Sequence, residues 1–115
     1  MTMAMLLTCR LERNVSGVLI RLPASAVERA YVLLDALKNG DLHSFAFQMG
    51  SDVLSCSMGD RDRLAGDMLM LSEGSVDEVK HMLFGIVQCP HDAAWLHQDI
   101  EAEGGDVTIS FEQNT

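Results

Sequence analysis

One tryptophan, one tyrosine and two prolines occur in 115 residues, and no lysine or arginine follows Lys80. There are three cysteines, Cys9, Cys56 and Cys89, with no C-x-x-C pair among them. An odd number at wide spacing argues against a disulfide framework or a zinc ribbon. Cys9 and Cys56 fall on the apolar phase of expected strands, where they act as small buried hydrophobes of a reducing compartment. No apolar run comes near the roughly 20 residues of a membrane span. The start, Met1-Thr2-Met3-Ala4-Met5-Leu6-Leu7, lacks a basic lead and soon meets Arg10, so it reads as a strand and not as a secretory signal. No P-loop and no G-x-G-x-x-G occurs. These absences point to a cytoplasmic protein with no membrane and no nucleotide cofactor.

The chain does have enough apolar residues for a core. Its hydrophobic fraction is 48% and its charged fraction 22%, the balance of a globular domain. Residues 1–115 read as a single α+β domain, long enough to bury a core without staples. Eight methionines outnumber the aromatics and supply adaptable core filling.

Periodicity sets out the elements. Met5, Leu7, Cys9 and Leu11 alternate with Thr8, Arg10 and Glu12, the pattern of a half-buried strand. Asn14–Gly17 supplies a turn and Val18–Leu22 a return strand. Pro23 ends it, and Ser25 with Glu28 forms an S-x-x-E capping box for a helix carrying Val27, Ala30, Leu34 and Leu37. Asn39-Gly40 stops that helix. His43–Met49, Val53–Met58 and Ala65–Leu71 read as a meander of three strands, with a second turn at Gly59–Arg63. Ser75 and Glu78 suggest a second capping box before the stripe Val76, Val79, Met82, Leu83, Ile86 and Val87. Pro90 opens a third helix through Ala93, Leu96 and Ile100, and Gly104-Gly105 breaks it. Val107, Ile109 and Phe111 mark a last strand. The order is β-β-α-β-β-β-α-α-β. The expected fold is two-layer α+β, a mainly antiparallel sheet of about six strands with three helices and no internal repeat.

Charge is the uneven quantity. The net formal charge is −9, and residues 1–66 contribute nothing to it, with seven acids against seven bases. Residues 67–115 carry ten acids against the single base Lys80. Gathered on one side, those acids repel nucleic acid and anionic membranes and attract a basic protein. Asp92, Asp99, Glu101, Glu103 and Asp106 are the candidate charges, with Trp95 as an apolar anchor beside them. Solubility alone is the plainer account of the same acids.

The candidate chemistry is thin. Cys89, His91, Asp92 and His97 are zinc-ligand types, but His91 and His97 are out of helical phase, so no metal site is expected. Cys89 at a helix start is opposed as a thiolate by its acidic neighbours. Asp77 and His81 stand at i, i+4, half of a relay with no nucleophile placed beside it. Asp41, His43 and Ser44 match no mechanism. Asp60-Arg61-Asp62-Arg63 does not complete a calcium loop, with Leu64 at the third ligand position and no closing glutamate. No catalytic residue and no cofactor is expected.

In length, acidity and strand-helix layout over the whole chain, this sequence resembles the bacterial immunity proteins that neutralise polymorphic or contact-dependent toxins. The resemblance implies a small cytosolic inhibitor, monomer or homodimer, that binds a basic nuclease-type toxin stoichiometrically and is not an enzyme. Phage-encoded inhibitors of host nucleases share the profile. A small-molecule- or metal-binding regulatory domain is the alternative from another class.

Overall fold

The fold is that of a computed structural model, which describes residues 5–88 and 97–112. The elements run β1 (Leu6–Thr8), β2 (Arg10–Asn14), β3 (Gly17–Pro23), α1 (Val27–Asn39), β4 (Phe45–Met49) and β5 (Asp52–Gly59). There follow β6 (Arg63–Ala65), β7 (Met68–Ser72), α2 (Glu73–Gln88), β8 (His97–Ala102) and β9 (Gly105–Glu112). A 3-10 turn, Ala24–Ala26, leads into α1. No helix of the described residues is long and apolar enough to cross a membrane.

This architecture corrects the expected one. Instead of one mainly antiparallel sheet of about six strands with three helices, the described residues form nine strands in two mixed sheets with two α-helices. The five-stranded sheet has the order β1-β4-β5-β7-β6 and the four-stranded sheet β2-β3-β9-β8. Three local causes account for the difference. The first alternating segment breaks at Cys9, so β1 joins one sheet and β2 the other. The short strand β6 straddles the end of the expected turn, Gly59–Arg63, and the start of the expected strand, Ala65–Leu71, and reverses the chain once more, so β7 lies parallel to β5. Residues read as the end of a third helix form β8, paired antiparallel with β9. There Gln98, Ile100 and Ala102 point inward between exposed His97, Asp99 and Glu101, a period of two. Ile100 alone among them is a large apolar residue, and one residue is too little signal to set the period. Gly104-Gly105 belongs to the β8–β9 hairpin, not to a helix stop. Ala93, Leu96 and Pro90 lie outside the described residues.

Helix boundaries also differ from the capping boxes. No side chain caps α1, and Ser25 belongs to the 3-10 turn. The start of α2 falls before Ser75: Ser72 Oγ accepts from the Ser75 amide at 3.3 Å. Asp62 of the β5–β6 connection accepts from the Ser72 amide and from Ser75 Oγ, both at 2.7 Å. A carboxylate at a helix start meets unpaired amides and the positive end of the helix dipole. Gly40 does end α1, at φ 80°.

The sequence pattern shows no repeat, yet the topology is duplicated. Hairpin β2–β3, helix α1 and hairpin β4–β5 are followed by hairpin β6–β7, helix α2 and hairpin β8–β9. Each half gives one hairpin to each sheet, and the halves meet through the parallel pairs β3–β9 and β5–β7. The helices repeat the same buried spacing: Val27, Ala30, Leu33, Leu34 and Leu37 in α1, and Val76, Val79, Met82, Leu83 and Ile86 in α2. These stripes share one core with Leu7, Phe45, Phe47, Leu54 and Leu69 from one sheet and Val18, Ile20, Ile100, Val107 and Ile109 from the other. Each such side chain contributes about 1.5–3 kcal/mol on burial.

Two seams tie the sheets together. On one, Arg13 of β2 reaches Asp52 at 3.0 Å and the Gly66 carbonyl at 3.0 Å. On the other, Leu64 N–H donates to the Glu103 carbonyl at 2.8 Å and Glu103 N–H to the Asp62 carbonyl at 2.9 Å.

Candidate functional site

β8 and β9 contain no lysine or arginine. Strand alternation puts His97, Asp99 and Glu101 on the outer face of the four-stranded sheet, and Asp106 joins them because it pairs with Glu101. Asp99 accepts from Thr108 Oγ1 at 2.8 Å and lies 3.3 Å from His97 Nε2. Glu101 and Asp106 are exposed and form no ion pair among the described residues. Across the sheet the face changes character. Glu12 holds Arg21 at 3.7 Å and Glu112 holds Arg10 at 2.9 Å, so the β2–β3 side is neutralised.

The expected binding residues therefore divide. Asp99, Glu101 and Asp106 come together. Glu103 sits at the turn and is engaged by Arg61 at 3.4 Å. Asp92 and Trp95 lie outside the described residues, as do Cys89 and His91. Of the other late acids, Asp67 meets Arg13 and Asp77 meets Lys38. Of the expected binding acids among the described residues, Asp99, Glu101 and Asp106 thus gather at one corner of one sheet.

The remaining candidates separate in the same way. Asp77 turns to Lys38 across the helix pair, so the expected Asp77–His81 pair does not form. That hydrogen bond, together with the carboxylate charge, raises the Lys38 pKa. His81 lines an open groove of about 490 Å³ with Asp77, Glu78 and Gln98, between α2 and β8. His43 and Ser44 are exposed ahead of β4. Among the described residues no three His, Cys, Asp or Glu side chains converge as metal ligands. Cys9 and Cys56 are buried free thiols. Burial pushes Cys9 up to about 11 and Cys56 up to about 12, so neither supplies a thiolate near neutral pH.

Sequence reasoning gave Glu78 only a capping role and did not single out Gln98 or the outer edge of β8. Gln98 Nε2 donates to Glu78 Oε2 at 3.1 Å, bringing α2 against the strand. A period-two reading of residues 97–102 is the signal that would have found them. An apolar strip also lies exposed on the helix pair: Tyr31, Val32, Phe84 and Val87 flank a groove of about 220 Å³ with Glu28. Lys80 sits 5.3 Å over the Tyr31 ring and bonds Asp35 at 2.7 Å.

No family model, curated protein or solved structure matches this chain.

Proposed function

We propose that this chain is a stoichiometric protein-binding inhibitor that meets a basic partner, of the nuclease-toxin type, through the acidic corner of the four-stranded sheet. The observation that carries this reading is the β8–β9 register, which stacks Asp99, Glu101 and Asp106 on one exposed face with no lysine or arginine on either strand. Such a corner concentrates negative potential, speeds encounter with a cationic surface and rejects phosphates. The net charge of −9 supports the same partner class at long range.

The test is affinity capture from the native host by the wild-type chain and by the D99K/E101K variant, both confirmed folded. The expected result is a basic polypeptide held one-to-one by the wild type and released as salt rises. Association should slow about tenfold or more in the variant. Equal association by the variant overturns the reading.

A small-molecule-binding regulatory domain is the second reading, and it draws on the exposed strip at Tyr31, Val32, Phe84 and Val87. It places the ligand between the helices, so D99K/E101K leaves it untouched.

A further inference from the structure

The duplicated halves differ in one respect that points to a binding mode. In the five-stranded sheet the outer edge of β4 is taken by β1, which runs parallel to it with Leu6, Leu7 and Thr8 opposite Ala46, Phe47 and Gln48. Matched outward from their hairpin turns, β8 takes the place of β4, and Asp99, Ile100 and Glu101 stand where Ala46, Phe47 and Gln48 stand. No strand pairs with the outer edge of β8 among the described residues. The cause is connectivity. β2 is preceded by β1, whereas β6, its counterpart, is fed directly from β5 through residues 60–62. Among the described residues the second half has no segment in the place of β1.

We infer that the outer edge of β8 accepts an extended basic segment of the partner as an added parallel strand; this rests on the acidic-corner reading above. The backbone groups are already turned outward. Ala46 N–H donates to the Met5 carbonyl at 2.8 Å, and Cys9 N–H donates to the Gln48 carbonyl at 3.0 Å. By the same alternation, the amides and carbonyls of Asp99 and Glu101 face away from β9. Strand addition satisfies such an edge with main-chain hydrogen bonds, and alternate side chains give the selectivity.

The side chains define the occupant. Opposite β4, Leu7 is buried to 1% beside Phe47, so the residue opposite Ile100 should be apolar. Its two neighbours would face Asp99 and Glu101 on the outer surface and should be lysine or arginine. The helix above the slot carries the opposite charge, which suits a basic side chain of the occupant. Arg29 of α1 donates to the Leu6 carbonyl of β1 at 3.4 Å. Repeating the buried spacing of the helices puts Glu78 of α2 at the matching place, a carboxylate where the filled slot has a guanidinium. The groove lined by Asp77, Glu78, His81 and Gln98 opens along that side of β8. Arg61 stands at the far end, already engaged by Asp60 and Glu103. A second copy of this chain is a poor occupant, because β8 against β8 sets Asp99 and Glu101 among like charges.

The probe is a synthetic peptide of alternating lysine and valine, compared with the same peptide N-methylated on the backbone nitrogens that face β8. A block-order peptide of equal composition and an alternating glutamate–valine peptide complete the set. On the full chain, the alternating peptide should slow hydrogen exchange at the Asp99 and Glu101 amides about tenfold or more and leave Gln98 and Ile100 little changed. N-methylation should abolish that protection, and E101P, which removes only an outward N–H, should weaken it while β8–β9 pairing persists. D99K/E101K should lose the lysine peptide and gain the glutamate one. Equal binding of the N-methylated or block-order peptide overturns strand addition and leaves the charge reading standing. Failure of every lysine peptide to bind at low salt overturns both. Protection of the same amides by self-association without peptide overturns the assigned occupant.

Discussion

Across the outer face of the five-stranded sheet, Leu6, Ala46, Ser55, Met68 and Ala65 form one register row without a charge. In the matching row of the four-stranded sheet, Asp99 replaces Ala46, Thr108 replaces Ser55, Leu19 replaces Met68 and Glu12 replaces Ala65, with nothing in the place of Leu6. One arrangement of hairpins thus supports two surfaces of opposite chemistry. Inward positions stay apolar in both, because the shared core demands it. Outward positions are free of that demand, and there the halves differ. The filled slot is a structural element; no described strand fills its counterpart.

The sharpest way to break this comparison is to charge the filled slot. Leu7→Asp places a carboxylate in the core beside Phe47 and should cost at least about 4 kcal/mol, read by urea denaturation. D99K/E101K on the open side should change the same measurement by less than about 1 kcal/mol. Equal losses would mean that the β8 edge is structural too. The hairpin turns give the next contrast. Gly104 has φ 93°, and an added β-carbon would run into the Leu64 carbonyl. Gly104→Ala should cost roughly 3 kcal/mol. Gly50, in the turn of β4–β5 at φ 61°, meets open space, so Gly50→Ala should cost about 1 kcal/mol from backbone strain alone. Thermal or urea midpoints separate the two.

A further contrast is set by pH through the two buried thiols. Unfolded thiols ionise near 9.0, whereas Cys9 holds its proton to about 11 and Cys56 to about 12. Between those values the unfolded state binds fewer protons, so stability is full below pH 9.0 and declines as pH rises toward 11 and 12. The loss at pH 10 should be about 1.4 kcal/mol per thiol. Cys56→Ala should flatten the urea midpoint against pH.

Local signals carried part of this fold. Asn14 Oδ1 accepts from the Ser16 and Gly17 amides, which is the turn chemistry that the composition of that stretch announces. The buried faces of α1 and α2 follow from apolar spacing. What local pattern could not reveal is partner choice. Pairing β3 with β9, and β5 with β7, depends on residues far apart, and β6 is too short to show alternation. The site was legible in its charge and not in its geometry. The acids stood out, but only the strand register decides that Asp106 joins Glu101 while Glu103 goes to Arg61.

The exchange of hairpins between sheets also governs how the molecule is made. Val18 and Val107 adjoin in the finished structure, yet about three-quarters of the chain separates them. A ribosome must release β9 before the four-stranded sheet can close, and neither half owns a complete sheet beforehand. High contact order of this kind slows folding and makes it one cooperative event. A break in the β5–β6 connection would leave two fragments able to build the core only by assembling with each other.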